Sequence, residues 1–215
     1  MSMRALSLEG VRSVLLLGAH SDDIEIGCGG AVLRLLSMNP GASVHWIVFS
    51  GQGNRASEAE ASAARFLAAA KTRTIEVHQF RDGFFPSEHA RIKTYFEELK
   101  GKVDPDLIFT HYRDDLHQDH RVISELTWNT YRRHTVLEYE VPKWDGDLGN
   151  PNVYVPLDEG QARHKVEILM ECFGTQRGKH WFDEETFNAL MRLRALECNA
   201  ASRRAEAFYG RKVTL

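Results

Sequence analysis

Val11 to Gly30 reads V-R-S-V-L-L-L-G-A-H-S-D-D-I-E-I-G-C-G-G, and the fold is decided there. The run Val11 to Gly18 becomes continuously apolar and ends in glycine, the pattern of a strand buried on both faces and therefore of a parallel sheet covered by helices. Beyond the polar turn, Ala31 to Leu36 reads as helix, Asn39-Pro40-Gly41 stops it, and Val44 to Phe49 is a second apolar run. The chain opens with a β-α-β unit.

The alternation continues outward from this unit. Glu58 to Ala70 is Ala-rich and helical, Thr74 to Phe80 extended, Glu88 to Lys100 helical, and Leu107 to Thr110 extended. This order specifies an α/β fold with a doubly wound, mostly parallel, Rossmann-like sheet flanked by helices. A helix is expected from about Asp119 to Arg133, with Val122, Ile123, Leu126 and Thr130 on one face, then an extended stretch from Val136 to Val141. Pro142 to Pro151 reads as a loop and Asn152 to Pro156 as a late strand. Asp158-Glu159-Gly160-Gln161 has the spacing of a capping box, opening a helix to about Cys172. Two further helices are expected, from Asp183 to about Arg194 and from Asn199 to Phe208.

A chain of 215 residues without internal repeat, low-complexity tract or linker reads as a single domain over residues 1–215. The 43% hydrophobic and 27% charged residues are ordinary globular usage. A net charge of −3 gives no general attraction for nucleic acid or acidic membranes. The Arg and Lys residues between 192 and 212 alternate with Glu197 and Glu206, as on a solvated helical face. No apolar run approaches the roughly 20 residues of a membrane span, and Met1-Ser2-Met3-Arg4-Ala5 lacks the apolar region of a secretory signal. Cys28, Cys172 and Cys198 form no disulfide framework and no C-x-x-C pair. A cytoplasmic location is expected, and self-association into a homo-oligomer is compatible with the sequence.

In an open parallel sheet, ligands bind beyond the carboxyl ends of strands. Two polar segments occupy such positions: Gly18 to Gly30 after the first apolar run, and Thr110-His111-Tyr112-Arg113-Asp114-Asp115-Leu116-His117-Gln118-Asp119-His120 after the fourth. Two histidines and a carboxylate with one open position make a catalytic zinc arrangement. His20 and Asp23, three apart on a strand-to-helix turn, can meet one ion and leave Asp22 free as a base. In His117-Gln118-Asp119-His120, one histidine can ligate while Asp119 orients the other. Taken alone, Asp22-Asp23 would read as a helix N-cap and the histidine segment as surface polarity. Their shared position at strand ends favours a metal site. Gly27-Cys28-Gly29-Gly30 matches neither G-x-G-x-x-G nor a P-loop, so a phosphate cradle is disfavoured.

His20-Ser21-Asp22-Asp23 and His117-Gln118-Asp119-His120 resemble the H-P-D-D and H-x-D-H motifs of the PIG-L/LmbE-like zinc-dependent N-acetylglucosaminyl deacetylase family. Gly53-Asn54-Arg55 before Glu58, Arg81-Asp82-Gly83, and Ala205-Glu206-Ala207-Phe208 resemble further family segments in the same order. The resemblance implies His20, Asp23 and His120 as ligands of one Zn2+ per chain, with Fe2+ also compatible with the donors. It implies Asp22 as general base, His117 as the charged partner of the transition state, Asp119 orienting His117, and Arg55 and Asp82 in the substrate pocket. The implied reaction is hydrolysis of an N-acetylated amino sugar or its conjugate, through attack of metal-bound water on the amide. Ser21 stands in place of the motif's proline, and Ile24 in place of a Glu carried by many members, with Glu25 next to it.

Two other readings use the same residues. A phosphoesterase would recruit extra ligands such as His111, Asp114 or Asp115 for a second ion. A non-catalytic sugar-binding protein would hold a structural metal, although such sites usually close with four protein ligands. Trp144, Tyr154 and Trp181 are available for stacking on a sugar or for packing.

Overall fold

The computed structural model describes residues 7–212. The strands are β1 (Ser13–His20), β2 (Ser43–Ser50), β3 (Thr72–Val77), β4 (Leu107–His111), β5 (Thr135–Tyr139), β6 (Val153–Pro156) and β7 (Ala205–Gly210). The α-helices are α1 (Asp23–Met38), α2 (Asn54–Phe66), α3 (Phe85–Lys100), α4 (Gln118–Thr130), α5 (Glu159–Cys172) and α6 (Glu184–Glu197). The strands form one sheet in the order β3-β2-β1-β4-β5-β7-β6, parallel from β3 through β5 and antiparallel at β7 and β6. The doubly wound architecture expected from the sequence is thus present, with an antiparallel edge.

Alternate residues of the central strands feed two apolar layers, as the period of a strand requires. Val14 and Leu16 pack with Trp46, Phe109 and Phe208 beneath α1, α2, α5 and α6. Leu15, Leu17 and Ala19 pack with Ile47, Phe49 and Ile108 beneath α3 and α4. Every side chain from Val14 to Leu17 is at most 1% exposed, which explains why the first apolar run shows no polar alternation. Asp158 and Gln161 form the expected capping box at the start of α5.

The chain leaves β1 towards β2 on one side, while β4 flanks β1 on the other. This reversal opens a crevice between the carboxyl ends of β1 and β4, where both polar segments lie. The glycines behind the first segment serve close packing. A Cβ at Gly27 would lie 2.1 Å from the Tyr139 ring, and one at Gly30 would lie 2.4 Å from the Leu157 side chain. They let α1 press against its neighbours, and no phosphate cradle is needed to account for them.

One expected element is wrong. Asn199 to Phe208 is not a helix: Ala205–Gly210 is β7, inserted antiparallel between β5 and β6. Asn199 and Arg203 have φ of 52° and 60°, which breaks any continuation of α6. The Ala- and Glu-rich composition suggested helix, but tertiary pairing overrides so weak a preference. Glu206 is held inside by Gly30 N–H at 2.9 Å, Ala31 N–H at 2.6 Å and Lys165 Nζ at 2.6 Å.

Candidate active site

His20 ends β1, and the chain turns through Ser21 and Asp22 into α1. Asp22 occupies the N-cap position, yet its side chain caps nothing. Asp23 instead folds back to accept the His20 N–H at 2.6 Å. On the opposite wall, His117 caps α4, its Nδ1 accepting the Asp119 N–H at 3.3 Å, and His120 sits in the first turn.

Three donor atoms converge across the crevice. His20 Nδ1 lies 3.2 Å from His120 Nε2 and 3.2 Å from Asp23 Oδ2, and His120 Nε2 lies 3.5 Å from the same oxygen. Ligand atoms about 2.0–2.2 Å from a tetrahedral ion lie roughly 3.3–3.6 Å apart, so this triangle fits one zinc-sized cation. All three side chains are buried, and the set of two imidazoles and one carboxylate leaves room for further coordination.

Two other groupings of metal-ligating side chains occur among the described residues, His20 with His117 and Asp119, and His111 with Asp115 and His120. Their donors are already engaged. Asp119 accepts from Gly83 N–H at 2.7 Å and Phe85 N–H at 3.1 Å. His111 Nε2 accepts from Ala19 N–H at 2.9 Å at the end of β4 and lies 3.4 Å from Asp23 Oδ2. Asp114 is exposed and faces Arg211 at 3.8 Å. Of the extra ligands a two-ion phosphoesterase would need, Asp114 stands away from the triangle, while His111 and Asp115 adjoin it at Asp23 and His120 with their facing atoms already hydrogen-bonded.

Each imidazole of the triangle has a carboxylate behind it. His120 Nδ1 lies 2.9 Å from Asp115 Oδ2, which also accepts from Lys143 Nζ at 2.9 Å. His20 Nε2 lies 3.2 Å from Asp119 Oδ2 and 3.1 Å from Asp82 Oδ1. Such partners fix the tautomer and aim the other ring nitrogen at the ion. Asp119 therefore differs from expectation: its carboxylate supports His20, and only its main chain reaches His117. Asp115, which the sequence offers as a turn residue or an extra ligand, instead stands behind His120, and nothing in the loop sequence points to Lys143.

The electrostatics favour a cation at the triangle. Burial would raise the Asp23 pKa, but His120, His20 and His111 outweigh it and hold the carboxyl well below its usual range. Burial would lower His20, but Asp23, Asp119 and Asp82 hold it well above. Asp22 behaves oppositely. Burial and the charge of Asp23 raise its pKa, with Arg55 opposing through a hydrogen bond from Nη2 to Oδ1 of 3.1 Å. Arg55 Nη1 also reaches Asp82 Oδ2 at 3.3 Å, and the His20 hydrogen bond helps bring Asp82 down to about 2. Burial and the charges of His120 and His20 lower His117. With Nδ1 accepting the Asp119 N–H, a neutral His117 carries its proton on Nε2 and is a hydrogen-bond donor without being charged.

A cleft of about 160 Å³ lies over these groups, lined by His20, Asp22, Asp23, Arg55, Asp82, His117 and His120 together with Lys143, Trp144, Asp145, Lys179 and Trp181. Trp181 lies in this lining, whereas Tyr154 does not. Glu25 is fully buried outside the lining, with neither carboxylate oxygen hydrogen-bonded, and burial raises its pKa well above the usual value. It does not take a place among the cleft carboxylates.

The fold and site define an α/β protein with a metal-competent crevice at the switch point of its sheet. The family described as PIG-L, GlcNAc-PI de-N-acetylase, matches residues 15–131, more than half of the chain, and the chain belongs to that family. That match spans Asp22, Asp23, Arg55, Asp82 and the histidine segment. No curated protein matches significantly. A conserved protein from Thermus thermophilus is similar at 18% identity and TM-score 0.71, covering 94% of this chain and 95% of its own. N,N'-diacetylchitobiose deacetylase from Pyrococcus horikoshii is similar at 18% identity and TM-score 0.65, over 94% and 84% of the two chains. A 4-carboxy-2-hydroxymuconate hydratase from Pseudomonas putida is similar at 17% identity and TM-score 0.70, over 95% and 98%. These likenesses establish the shared fold, and a fold can host more than one reaction.

Proposed function

We propose that this chain is a metal-dependent amide hydrolase that removes the N-acetyl group from an N-acetylated amino sugar or its conjugate, acting as a single domain in the cytoplasm. The observation that carries the reading is the convergence of His20 Nδ1, Asp23 Oδ2 and His120 Nε2 to within 3.5 Å of one another, in a cleft that Asp22 and His117 also line. Family membership supports amide hydrolysis at that site. The three free cysteines suit a reducing compartment, and no helix among the described residues is long and apolar enough to cross a membrane.

His20, Asp23 and His120 would hold the ion. Bound there, a divalent cation such as Zn2+ or Fe2+ supplies a Lewis acid and makes water acidic enough to deprotonate near neutral pH. Asp22, ionised, takes the proton from the attacking water. Its raised pKa makes it a stronger base than an ordinary aspartate, provided the pH keeps it ionised. His117 offers Nε2–H to the oxygen of the tetrahedral intermediate, without itself needing to be charged. The proton gathered by Asp22 then passes to the departing amine. Arg55 holds Asp22 in place through its Nη2 donor.

The test is acetate release from N-acetylglucosamine and its phosphorylated and nucleotide-linked forms, with the protein first stripped by a chelator and then reloaded with Zn2+ or Fe2+. Metal-dependent acetate release is expected. Absence of acetate from every substrate with metal-loaded protein would overturn the reading, and hydration of an unsaturated acid by the same preparation would place the chain with the hydratase instead.

A further inference from the structure

The loop between β5 and β6 brings Trp144 and Asp145 to the cleft, and both residues are exposed. A loop without ladder or helix bonds keeps its course through turns and side-chain anchors. Its far end is fixed at Gly149, whose N–H donates to Tyr209 Oη at 3.0 Å and whose carbonyl accepts from Arg194 Nη2 at 3.3 Å. At the cleft, Trp144 Nε1–H donates to His180 Nε2 at 2.9 Å, in an exposed position where such a bond contributes little. The stronger anchor there is Lys143.

Lys143 Nζ donates to Asp115 Oδ2 at 2.9 Å, to Asp147 Oδ2 at 2.5 Å and to the Val141 carbonyl at 3.4 Å, which accounts for all three ammonium protons. The three charged side chains are at most 10% exposed, so salt screens these pairs weakly. Asp147 also accepts the Leu116 N–H at 2.7 Å, so one ammonium ties the β5–β6 loop to the loop that leads into His117 and His120. The two carboxylates are unequally held. Asp115 Oδ1 accepts the His117 N–H at 2.8 Å, its Oδ2 meets His120 Nδ1, and its carbonyl accepts from Arg121 Nη1 at 3.2 Å. Asp147 has only the Leu116 N–H besides Lys143 among the described residues. Without the ammonium, two buried carboxylates would face each other unneutralised, and the less anchored one would move with its loop.

We propose that Lys143 is a positioning residue, a charge clamp that holds the loop bearing Trp144 and Asp145 in place as a substrate-facing wall of the cleft. Its charge is consumed by Asp115 and Asp147, so it acts through the loop and not on the reacting atoms. Loosening the clamp costs substrate binding. It leaves the His20, Asp23 and His120 triangle intact, because Asp115 keeps its own hold behind His120. The kinetic part of this inference rests on the amide-hydrolase reading, whereas the anchoring of the loop does not.

The experiment compares wild type, Lys143→Met, Asp147→Asn and the double variant, each loaded with Zn2+. Limited chymotrypsin digestion, with the cut sites read by mass spectrometry, reports opening of the loop at Trp144 and Leu148. Metal content and the KM and kcat of acetate release from N-acetylglucosamine are measured on the same proteins. Lys143→Met should be cut at this loop about tenfold faster, the equivalent of one charge-assisted hydrogen bond. Its metal content should match wild type, and KM should rise about tenfold while kcat stays within about threefold. Asp147→Asn alone should be cut at close to the wild-type rate, because its amide oxygen still accepts from Lys143 and Leu116. Added to Lys143→Met, it removes the unneutralised pair and should return cutting to within about threefold of wild type. Unchanged cutting in Lys143→Met, or faster cutting that Asp147→Asn fails to reverse, would overturn the clamp, since packing of the lysine stem does not respond to a charge four residues away. Loss of the metal in Lys143→Met, or cutting throughout the chain, would overturn it too, by showing that the lysine serves the donor triangle or the whole fold. Faster loop cutting that Asp147→Asn reverses, with no acetate released by any of the four proteins, would support the clamp and count against the hydrolase reading.

Discussion

Arg55 Nη2 donates to Asp22 Oδ1 at 3.1 Å, so the proposed base carries its own counter-charge within the cleft. Burial and Asp23 raise the Asp22 pKa, and Arg55 is the foremost influence holding it down. A base must be ionised, so activity should fall as pH drops through this pKa. Removing the guanidinium makes ionisation harder. Arg55→Met should therefore shift the acidic limb of the kcat/KM profile upward by about one pH unit, the scale of one neighbouring charge. A pH–rate profile of both proteins checks this, and an unmoved limb would count against Asp22 as the base.

Asp22 lies beside the donor triangle without contributing a donor to it, which separates chemistry from metal retention. Asp22→Asn should keep close to the wild-type metal content while turnover drops about 10²–10⁴-fold, the usual contribution of a positioned base. His120→Ala should lose the metal itself, because it removes one corner of the triangle. Elemental analysis after dialysis, set beside acetate release, distinguishes the two. A metal-replete and fully active Asp22→Asn would refute the assignment.

Asp115 accepts from His120 Nδ1 and so turns Nε2 into the donor triangle. Asp115→Ala should weaken metal affinity about 10–100-fold, as losses behind a ligand histidine generally do. The change should be visible in a competition titration with a chromophoric chelator. An affinity within a factor of two of wild type would show that packing alone aims the ring.

The legible parts of this protein are those where local pattern and tertiary role coincide. Val14 to Leu17 announces a doubly buried strand because every one of its side chains is enclosed, and the polar segments at His20 and His117 stand out because they follow such runs. Strand-end placement anticipates that His20 and Asp23 face one histidine of the second segment, and only the family resemblance singles out His120 over His117. The supporting carboxylates could not be anticipated, since whether Asp115 or Asp119 faces a given ring depends on how the loop from Tyr112 to His117 turns. Residues 205–210 misled for a related reason. Their helix-forming composition carries a preference of only tenths of a kcal/mol per residue, against strand pairing on both edges and a buried Glu206.

That buried glutamate sets up a stability experiment. Lys165 Nζ donates to Ile26 O at 2.6 Å and to Glu206 Oε1 at 2.6 Å, while Glu206 accepts from the N–H groups of Gly30 and Ala31. The pair thereby satisfies backbone groups in the middle of α1, the helix whose first turn supplies Asp23. Both side chains are at most 4% exposed. Lys165→Met leaves an uncompensated charge and takes a donor from the Ile26 carbonyl, and should destabilise the fold by about 3–5 kcal/mol. Adding Glu206→Gln should recover part of the loss, because a neutral amide oxygen can still accept from α1 without carrying charge into the interior. Urea unfolding of the three proteins measures both steps. A single-variant cost below about 1 kcal/mol would refute the assignment of Lys165 as the charge partner that holds this pair in the interior.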